Sequence, residues 1–282
     1  MILSITDGKA RAEISTLGAE LRSLNLGGRE LLWQGDPKIW DGRAMVLFPF
    51  IGRCCDDRYV LDGKPYTMGL HGFGWKSEFS VAEQTADGCV LELTDSPETR
   101  ENYPFAFSLR VGFALEDGRL KVSFQVENRS EKPMPFALGW HPGFALEGPP
   151  ENYRVRFDVP ELEEVKIVTR CMVTGELVPM ALADGCLNLD RKLFTDSARV
   201  FKTAGKQIQL EDARGESLVR LDYPDFGNVA LWQTLGSGAE FICIETWMNR
   251  PGKCDQVETL GEDDKMILAP GEVFHQELTV LL

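Results

Sequence analysis

Apolar and polar residues alternate with a period of two along much of this chain. In the segment 119–128, RLKVSFQVEN, one face carries only apolar side chains: Leu120, Val122, Phe124 and Val126. The segment 89–95, CVLELTD, alternates in the same way. Successive side chains of a β-strand point to opposite faces, so this period is typical of strands with one buried face. The pattern therefore predicts a fold that is built from strands.

Turn signals separate these candidate strands. Asp-Gly pairs stand at 62–63, 87–88 and 117–118, and this pair favours tight hairpins because both residues tolerate positive φ. The helical signal is weak, and we expect one short helical turn at 160–166, PELEEVK. The pattern predicts an all-β protein, a large antiparallel β-sandwich in which residues 1–282 form a single domain.

The charge and the cysteines restrict the partners and the compartment. The formal net charge is −14, which disfavours binding to nucleic acid and to anionic membranes. The N-terminal MILSITDGKA has too short an apolar run for a signal peptide or a membrane span. Seven cysteines without a C-x-x-C spacing favour a reducing, cytoplasmic setting.

Two of the three histidines lie in similar apolar, glycine-rich segments. His71 lies in MGLHGFGW and His141 in ALGWHPGFAL, each with aromatic neighbours that suit a sugar or a flat ligand. Glycine lets other atoms approach the backbone closely, which favours a site, although a structural histidine bonded to a carbonyl is the alternative. His275 lies in GEVFHQELTV and is expected to face solvent or a neighbouring strand.

A carboxylate and an arginine occupy comparable positions. Glu245 is the only charge in the run 241–247, and burial would raise its pKa and make it a stronger base when ionised. A glutamate that points outward or pairs with an arginine is the alternative. Arg53 follows the apolar LFPFIG and could hold hydroxyls, carboxylates or phosphate. Trp232 and Trp247 are candidate stacking platforms, although core packing is the commoner role of tryptophan.

These residues leave several chemistries open. Two histidines and a carboxylate could hold a metal, but the spacings His-x-His and H-E-x-x-H do not occur. Glutamate with histidine also suits acid–base catalysis near neutral pH. A glycosidase would need a second carboxylate across the bond that is cleaved.

Four segments in order, FPFIGR, LHGFGW, GWHPGF and ICIETW, resemble the aldose 1-epimerase (mutarotase) family, and the resemblance covers essentially the whole chain. It implies a galactose mutarotase-like β-sandwich that interconverts the α and β anomers of a free aldohexose. It also implies a sugar as the partner, no cofactor and no metal. We expect a monomer or a homodimer.

The resemblance also implies roles for individual residues. Glu245 matches the general base that deprotonates the anomeric hydroxyl, and His141 matches the acid that protonates the ring oxygen, which we expect to be an imidazolium near pH 7. His71 matches the histidine that hydrogen-bonds near the ring oxygen. Arg53 matches the arginine that holds sugar hydroxyls.

The sequence departs from the better-characterised galactose mutarotases at one point. Their sugar-binding aspartate lies in a context like Asp-His-Asn, which this chain lacks, although Asp196 and Asp225 lie in broadly suitable regions. Two alternatives therefore stay open. One is a hexose-6-phosphate mutarotase that uses Arg250 and Lys253 beside Arg53. The other is a carbohydrate-binding protein without catalysis.

Overall fold

The computed structural model describes residues 1–168, 171–194, 198–203, 205–234, 240–262 and 265–282. The strands of these residues are β1 (Ile2–Thr6), β2 (Ala10–Ser15), β3 (Leu21–Leu26), β4 (Arg29–Glu30), β5 (Ala44–Leu47), β6 (Arg58–Leu61), β7 (Lys64–Thr67), β8 (Ser80–Gln84), β9 (Gly88–Thr94), β10 (Phe107–Glu116), β11 (Arg119–Asn128), β12 (Met134–Phe136), β13 (Gly139–Ala145), β14 (Tyr153–Phe157), β15 (Glu161–Val168), β16 (Met172–Ala181), β17 (Cys186–Asn188), β18 (Arg199–Lys202), β19 (Gln207–Asp212), β20 (Ser217–Asp222), β21 (Asn228–Trp232), β22 (Phe241–Trp247), β23 (Glu258–Thr259), β24 (Met266–Leu268) and β25 (Val273–Leu281).

In the part of the chain that the structure describes, helical structure is limited to short segments. One α-helix, α1, spans Pro97–Asn102 and begins with a capping box between Ser96 and Thr99. Single 3-10 turns occur at Cys55–Asp57, Gly74–Lys76, Pro150–Asn152 and Arg191–Leu193. Within the described residues, no helix has the length and apolar character that crossing a membrane requires.

Two large sheets dominate the architecture. One has nine strands in the order β17-β14-β19-β20-β25-β11-β10-β9-β8, and the other has seven in the order β16-β15-β18-β21-β22-β13-β5. Every strand pair that the structure describes in these two sheets is antiparallel. Smaller sheets of four, three and two strands complete the fold.

The main core lies between the two large sheets. Val122 and Phe124 of β11 belong to the same buried apolar cluster as Trp140 of β13 and Ile242 and Ile244 of β22. The alternation in 119–128 predicts a strand with one buried face, and one face of β11 does contribute to this core. The prediction of an all-β sandwich is confirmed.

Two of the three Asp-Gly pairs form tight hairpins. Asp62 and Gly63 join β6 to β7, and Asp117 and Gly118 join β10 to β11, with positive φ at all four residues. The third pair differs, since β8 ends at Gln84 and β9 begins at Gly88. The carbonyl of Asp87 accepts a hydrogen bond from the N–H of Leu115 at 2.8 Å, so the loop is held by the neighbouring strand β10.

The prediction of a helical turn at 160–166 is wrong. This segment falls largely in β15, which pairs with β16 on one side and β18 on the other. Leu162 and Val165 are buried there, and Glu164 forms ion pairs with Lys166 at 2.8 Å and Arg199 at 2.5 Å. Pairing with the next strand, β16, and with the more distant β18 therefore overrides the local preference of the glutamates.

The packing of β11 generates a test of the core. Replacing Phe124 by alanine should lower the free energy of unfolding by about 3–5 kcal/mol, because the ring is buried between the sheets and leaves a cavity. Urea denaturation would measure this loss. Lys121 on the exposed face of the same strand is the control, and Lys121→Ala should cost less than about 1 kcal/mol. Equal losses in the two variants would contradict the assignment of faces.

Candidate active site

The candidate site is built on two neighbouring strands of the seven-stranded sheet. In the pairing of β13 with β22, Gly139 lies opposite Trp247 and Gly143 lies opposite Cys243. The same register sets His141 opposite Glu245. Directly opposite side chains on one face of a sheet lie close enough to interact. Two residues more than a hundred positions apart in the sequence thus become neighbours.

A hydrogen-bonded pair forms the centre of the site. Nε2 of His141 lies 3.1 Å from Oε1 of Glu245. The other carboxylate oxygen, Oε2, accepts a hydrogen bond of 3.0 Å from the indole N–H of Trp247. Glu245 is 1% exposed and His141 is 6% exposed. Both carboxylate oxygens therefore have a partner, which a buried carboxylate requires.

His71 reaches the same site from the loop before the turn at 74–76. Its backbone N–H donates to the carbonyl of Gly52 at 2.8 Å, and the N–H of Gly52 donates to Nδ1 of the imidazole at 3.1 Å. A neutral imidazole that accepts at Nδ1 carries its proton on Nε2. The ring lies 5.7 Å from the His141 ring and is nearly perpendicular to it, at 89°. Nε2–H of His71 is therefore available as a donor in this site.

Glycines permit the close packing around both histidines, as the sequence predicts. Gly72 has φ +71, and a Cβ there would lie 2.4 Å from the carbonyl oxygen of Phe48. A Cβ on Gly143 would lie 2.7 Å from the ring of Trp40. Any larger residue would push these neighbours away, so the glycines allow the loop and the aromatic ring to lie against the site.

Burial sets the protonation of the pair. It lowers the pKa of His141 to about 4 and raises the pKa of Glu245 well above its usual value, although the Trp247 N–H opposes the second shift. Both directions disfavour separated charges. The imidazolium that we expected for His141 near pH 7 is therefore not the resting form, because burial opposes its charge.

The pKa of His71 is lowered well below its usual value as well. Burial is the main cause, and the nearby His141 and Arg53 add to it. His71 is thus a neutral donor in the resting site.

Aromatic rings line one side of His141. Trp40 and Trp232 lie 5.3 Å and 5.8 Å from its ring, and they contact each other edge to face at 5.5 Å. The indole N–H of Trp33 donates to the carbonyl of Trp40 at 2.8 Å, which holds this segment in place. Trp40 was missed by the sequence reasoning because it lies in an irregular segment without periodicity.

Arg53 directly follows Gly52, whose backbone bonds His71 twice, and its charge adds to the lowering of the pKa of that histidine. Its Nη1 donates to Oδ1 of Asp57 at 2.7 Å, and its backbone N–H donates to the carbonyl of Cys171 at 3.1 Å. The guanidinium is thereby held in one place, and its side chain is 29% exposed. An arginine of this kind can offer further donors to a ligand.

The structure thus brings His71, His141 and Glu245 together, with Trp232 and Trp247 around them. Trp247 hydrogen-bonds the carboxylate and is almost fully buried, whereas Trp232 is half-buried.

The remaining candidates lie elsewhere. Asp225 and His275 line a separate cavity, and His275 is exposed, as the sequence predicts. Asp196 lies outside the described residues.

One set of donors in this site could hold a metal ion. His141, Cys243 and Glu245 each offer one donor atom, and these atoms lie within 4.8 Å of one another. The sequence suggests two histidines and a carboxylate as metal ligands, but the third donor in this cluster is Cys243 and not a second histidine. Cys243 is fully buried on the same strand as Glu245, and burial raises its pKa well above the usual value.

A buried histidine is hydrogen-bonded to a carboxylate on one sheet of a large β-sandwich, an arrangement of groups that can transfer protons. The chain belongs to the aldose 1-epimerase family, whose model matches residues 1–280. The order and nature of the four sequence segments are thereby explained, and the resemblance that they carry is confirmed.

Relatives support the same assignment. Protein LacX, chromosomal, of Lactococcus lactis subsp. lactis is 31% identical over 264 residues, which cover 88% of this chain and 87% of LacX. A galactose mutarotase related enzyme from Lactobacillus acidophilus superposes with a TM-score of 0.93 at 28% identity, over 99% of this chain and 96% of that chain. A galactose mutarotase-like protein from Lactobacillus casei also gives 0.93, at 27% identity and 99% coverage of both chains.

The contact between Gly52 and His71 generates a test. We expect His71 to stay neutral, with its proton on Nε2, as the pH falls from about 8 to about 5, because burial lowers its pKa. Histidine-selective NMR of the ring nitrogens would show the tautomer, and His275→Gln and His141→Gln would assign the three sets of signals. Protonation of Nδ1 in this range would contradict the hydrogen bond from Gly52.

Proposed function

We propose that the protein is an aldose 1-epimerase, an isomerase that interconverts the α and β anomers of a hexose. The observation that carries the proposal is the 3.1 Å contact between Nε2 of His141 and Oε1 of Glu245 in a buried site. Opening a pyranose ring removes a proton from the anomeric hydroxyl and delivers one to the ring oxygen. An acid and a base that already exchange a hydrogen bond are suited to this pair of transfers.

Ring opening would use the one proton that His141 and Glu245 share. Glu245 accepts the proton of the anomeric hydroxyl while His141 donates the proton from Nε2 to the ring oxygen. Sugar hydroxyls that donate to Glu245 would stabilise its ionised form and move the shared proton towards His141. The charged form of the pair would thus be populated when substrate is bound, although burial disfavours it in the empty site.

Ring closure would use the same groups in reverse. After ring opening, Glu245 holds a proton and His141 is neutral, so the pair has the same total number of protons as before. Rotation about the C1–C2 bond presents the other face of the aldehyde. Glu245 then returns a proton to the aldehyde oxygen, while His141 takes one from the attacking hydroxyl. The cycle needs no cofactor, because the substrate supplies and recovers each proton.

Other residues would hold the sugar. Nε2–H of His71 would donate to an oxygen near the ring, since its Nδ1 is occupied by the Gly52 N–H. Arg53, which Asp57 holds, would donate to hydroxyls. Trp232 would offer its ring to the apolar C–H face of the sugar.

The residues near Arg53 leave a phosphorylated hexose as the alternative substrate. The N–H of Gly252 donates to the carbonyl of Arg53 at 3.0 Å, and a cavity of about 650 Å³ lies beside this segment. Among the described residues that line it, Arg250 and Lys253 are basic and Glu258 and Glu262 are acidic. Glu258 already pairs with Lys265 at 2.6 Å, so its charge is not available to offset a second base. A phosphorylated hexose is therefore the alternative substrate that the second arm of the assay tests.

A role in sugar binding without catalysis is the other alternative. Binding of hydroxyls needs no acid and base in contact with each other, so the pair favours an enzyme.

We also propose that residues 1–282 form one domain, as a monomer or a homodimer. Seven free cysteines support a reducing, cytoplasmic setting.

The assay is the approach of freshly dissolved α-glucose and α-galactose to anomeric equilibrium, followed by polarimetry or NMR. The protein should accelerate it, and Glu245→Gln or His141→Gln should each lower kcat by about 10²- to 10⁴-fold. Each substitution removes one of the two proton-transfer groups.

The matched control is His275→Gln, which changes an exposed histidine on the nine-stranded sheet and should keep the full rate. Glucose 6-phosphate and galactose 6-phosphate form the second arm of the assay. If the protein accelerates mutarotation of the phosphorylated sugars alone, its substrate is a hexose phosphate and not a free hexose. No acceleration with any of the four sugars would contradict the enzyme and favour a binding protein.

The pH dependence of kcat/KM gives a further prediction. A second proton would make the buried pair cationic and leave no base, and burial holds the pKa of His141 at about 4 instead of 6.5. Activity should therefore persist well below the pKa of an ordinary histidine and fall only as the pH approaches the lowered value. Loss of the shared proton is also disfavoured by burial, since the pKa of Glu245 is raised. An acid limb near 6.5 would overturn this account.

A further inference from the structure

The candidate site holds one donor group that the proposed reaction does not use. Cys243 lies on β22 two residues before Glu245, so both side chains point to the same face of the sheet. Its neighbours across the strands are Gly143 on β13 and Trp232 on β21. The thiol is therefore directed into the same site as the acid–base pair.

The three donor atoms lie almost close enough to bind one ion. One ring nitrogen of His141, Sγ of Cys243 and a carboxylate oxygen of Glu245 all lie within 4.8 Å of one another. Zinc bonds of about 2.0–2.3 Å in a tetrahedral arrangement place neighbouring donors about 3.5 Å apart. A contraction of at most about 1.3 Å at the widest separation would complete such a site, and rotations of the side chains would have to supply it.

The chemistry of the donors favours a thiophilic cation. Nitrogen, sulfur and one carboxylate oxygen form a ligand set that suits zinc or cadmium, whereas magnesium and calcium prefer oxygen alone. Among the described residues, no group hydrogen-bonds Nδ1 of His141. Binding of a metal at Nε2 therefore breaks no hydrogen bond at Nδ1.

We propose that Zn²⁺ or Cd²⁺ binds to His141, Cys243 and Glu245 and inhibits the protein. The fourth ligand is a water molecule. Binding releases two protons to solvent, one from the thiol and one from the contact between His141 and Glu245. The metal would block turnover because it occupies the two groups that transfer protons, so this part of the proposal rests on the proposed function. Binding itself does not depend on the reaction.

The direct test follows the ultraviolet charge-transfer absorption of cadmium–thiolate bonds during titration of the reduced protein with CdCl₂. The absorption of the wild-type protein should exceed that of Cys243→Ala by the contribution of one cadmium–thiolate bond. Cys89→Ala, which removes another buried cysteine in β9 of the other large sheet, is the matched control and should retain the wild-type absorption. Equal absorption in wild type and Cys243→Ala overturns the proposal.

The second test measures inhibition by ZnCl₂, with each variant compared with its own rate without metal. Cys243→Ala should raise the concentration for half-inhibition by at least the roughly 10- to 100-fold that loss of an outer partner costs a metal site. Cys89→Ala should leave it unchanged. Equal sensitivity of Cys243→Ala and wild type, or acceleration by zinc, overturns the inhibitory site.

The two proposals fail in different ways. Without mutarotation in metal-free wild type, the proposed function fails, while the cadmium absorption still decides whether Cys243 binds metal. With mutarotation but without the absorption that depends on Cys243, the metal site fails and the proposed function stands.

Discussion

A carboxylate inside a fully buried strand is the constraint on which the site depends. Glu245 is 1% exposed, and an ionised or neutral carboxyl group without partners would be costly there. Trp247 on the same strand satisfies one oxygen, and His141 on the adjacent strand satisfies the other. The second contact requires the register of β13 against β22, so satisfying the carboxylate and assembling the site are the same structural requirement.

The two faces of the seven-stranded sheet have different roles: one packs into the main core, and the other carries the candidate site. Trp140, Ile242 and Ile244 point towards the nine-stranded sheet and belong to the main core. Their sequence neighbours point the other way, towards the loops that carry His71 and Arg53. Because both faces are covered, β22 is buried along its whole length. The rigid core therefore holds the acid and the base in place without contributing to the reaction.

Prediction from sequence succeeded where neighbouring residues carry a clear pattern and failed where strand pairing, chain path or burial decides the outcome. Strands, two hairpins and the isolated charge of Glu245 are visible in the residues themselves. The segment 160–166 suggested a helix because its glutamates favour one, but β16 and β18 pair with it and decide otherwise. Trp40 gave no signal, since its position beside His141 depends on the path of an irregular segment. The neutral form of His141 depends on burial, which no spacing encodes.

The sequence by itself determined the period-two strands, the faces that form the core and the set of side chains able to transfer protons. The strands and their faces follow from residues two or four positions apart, and the candidate proton-transfer groups follow from polar residues isolated in apolar segments and from the family resemblance. Only the tertiary structure decided that His141 lies opposite Glu245, that Gly52 sets the tautomer of His71 and that Cys243 joins the same site. Each of these is a contact between distant parts of the chain, and long-range register and burial arise only when the sheets have assembled.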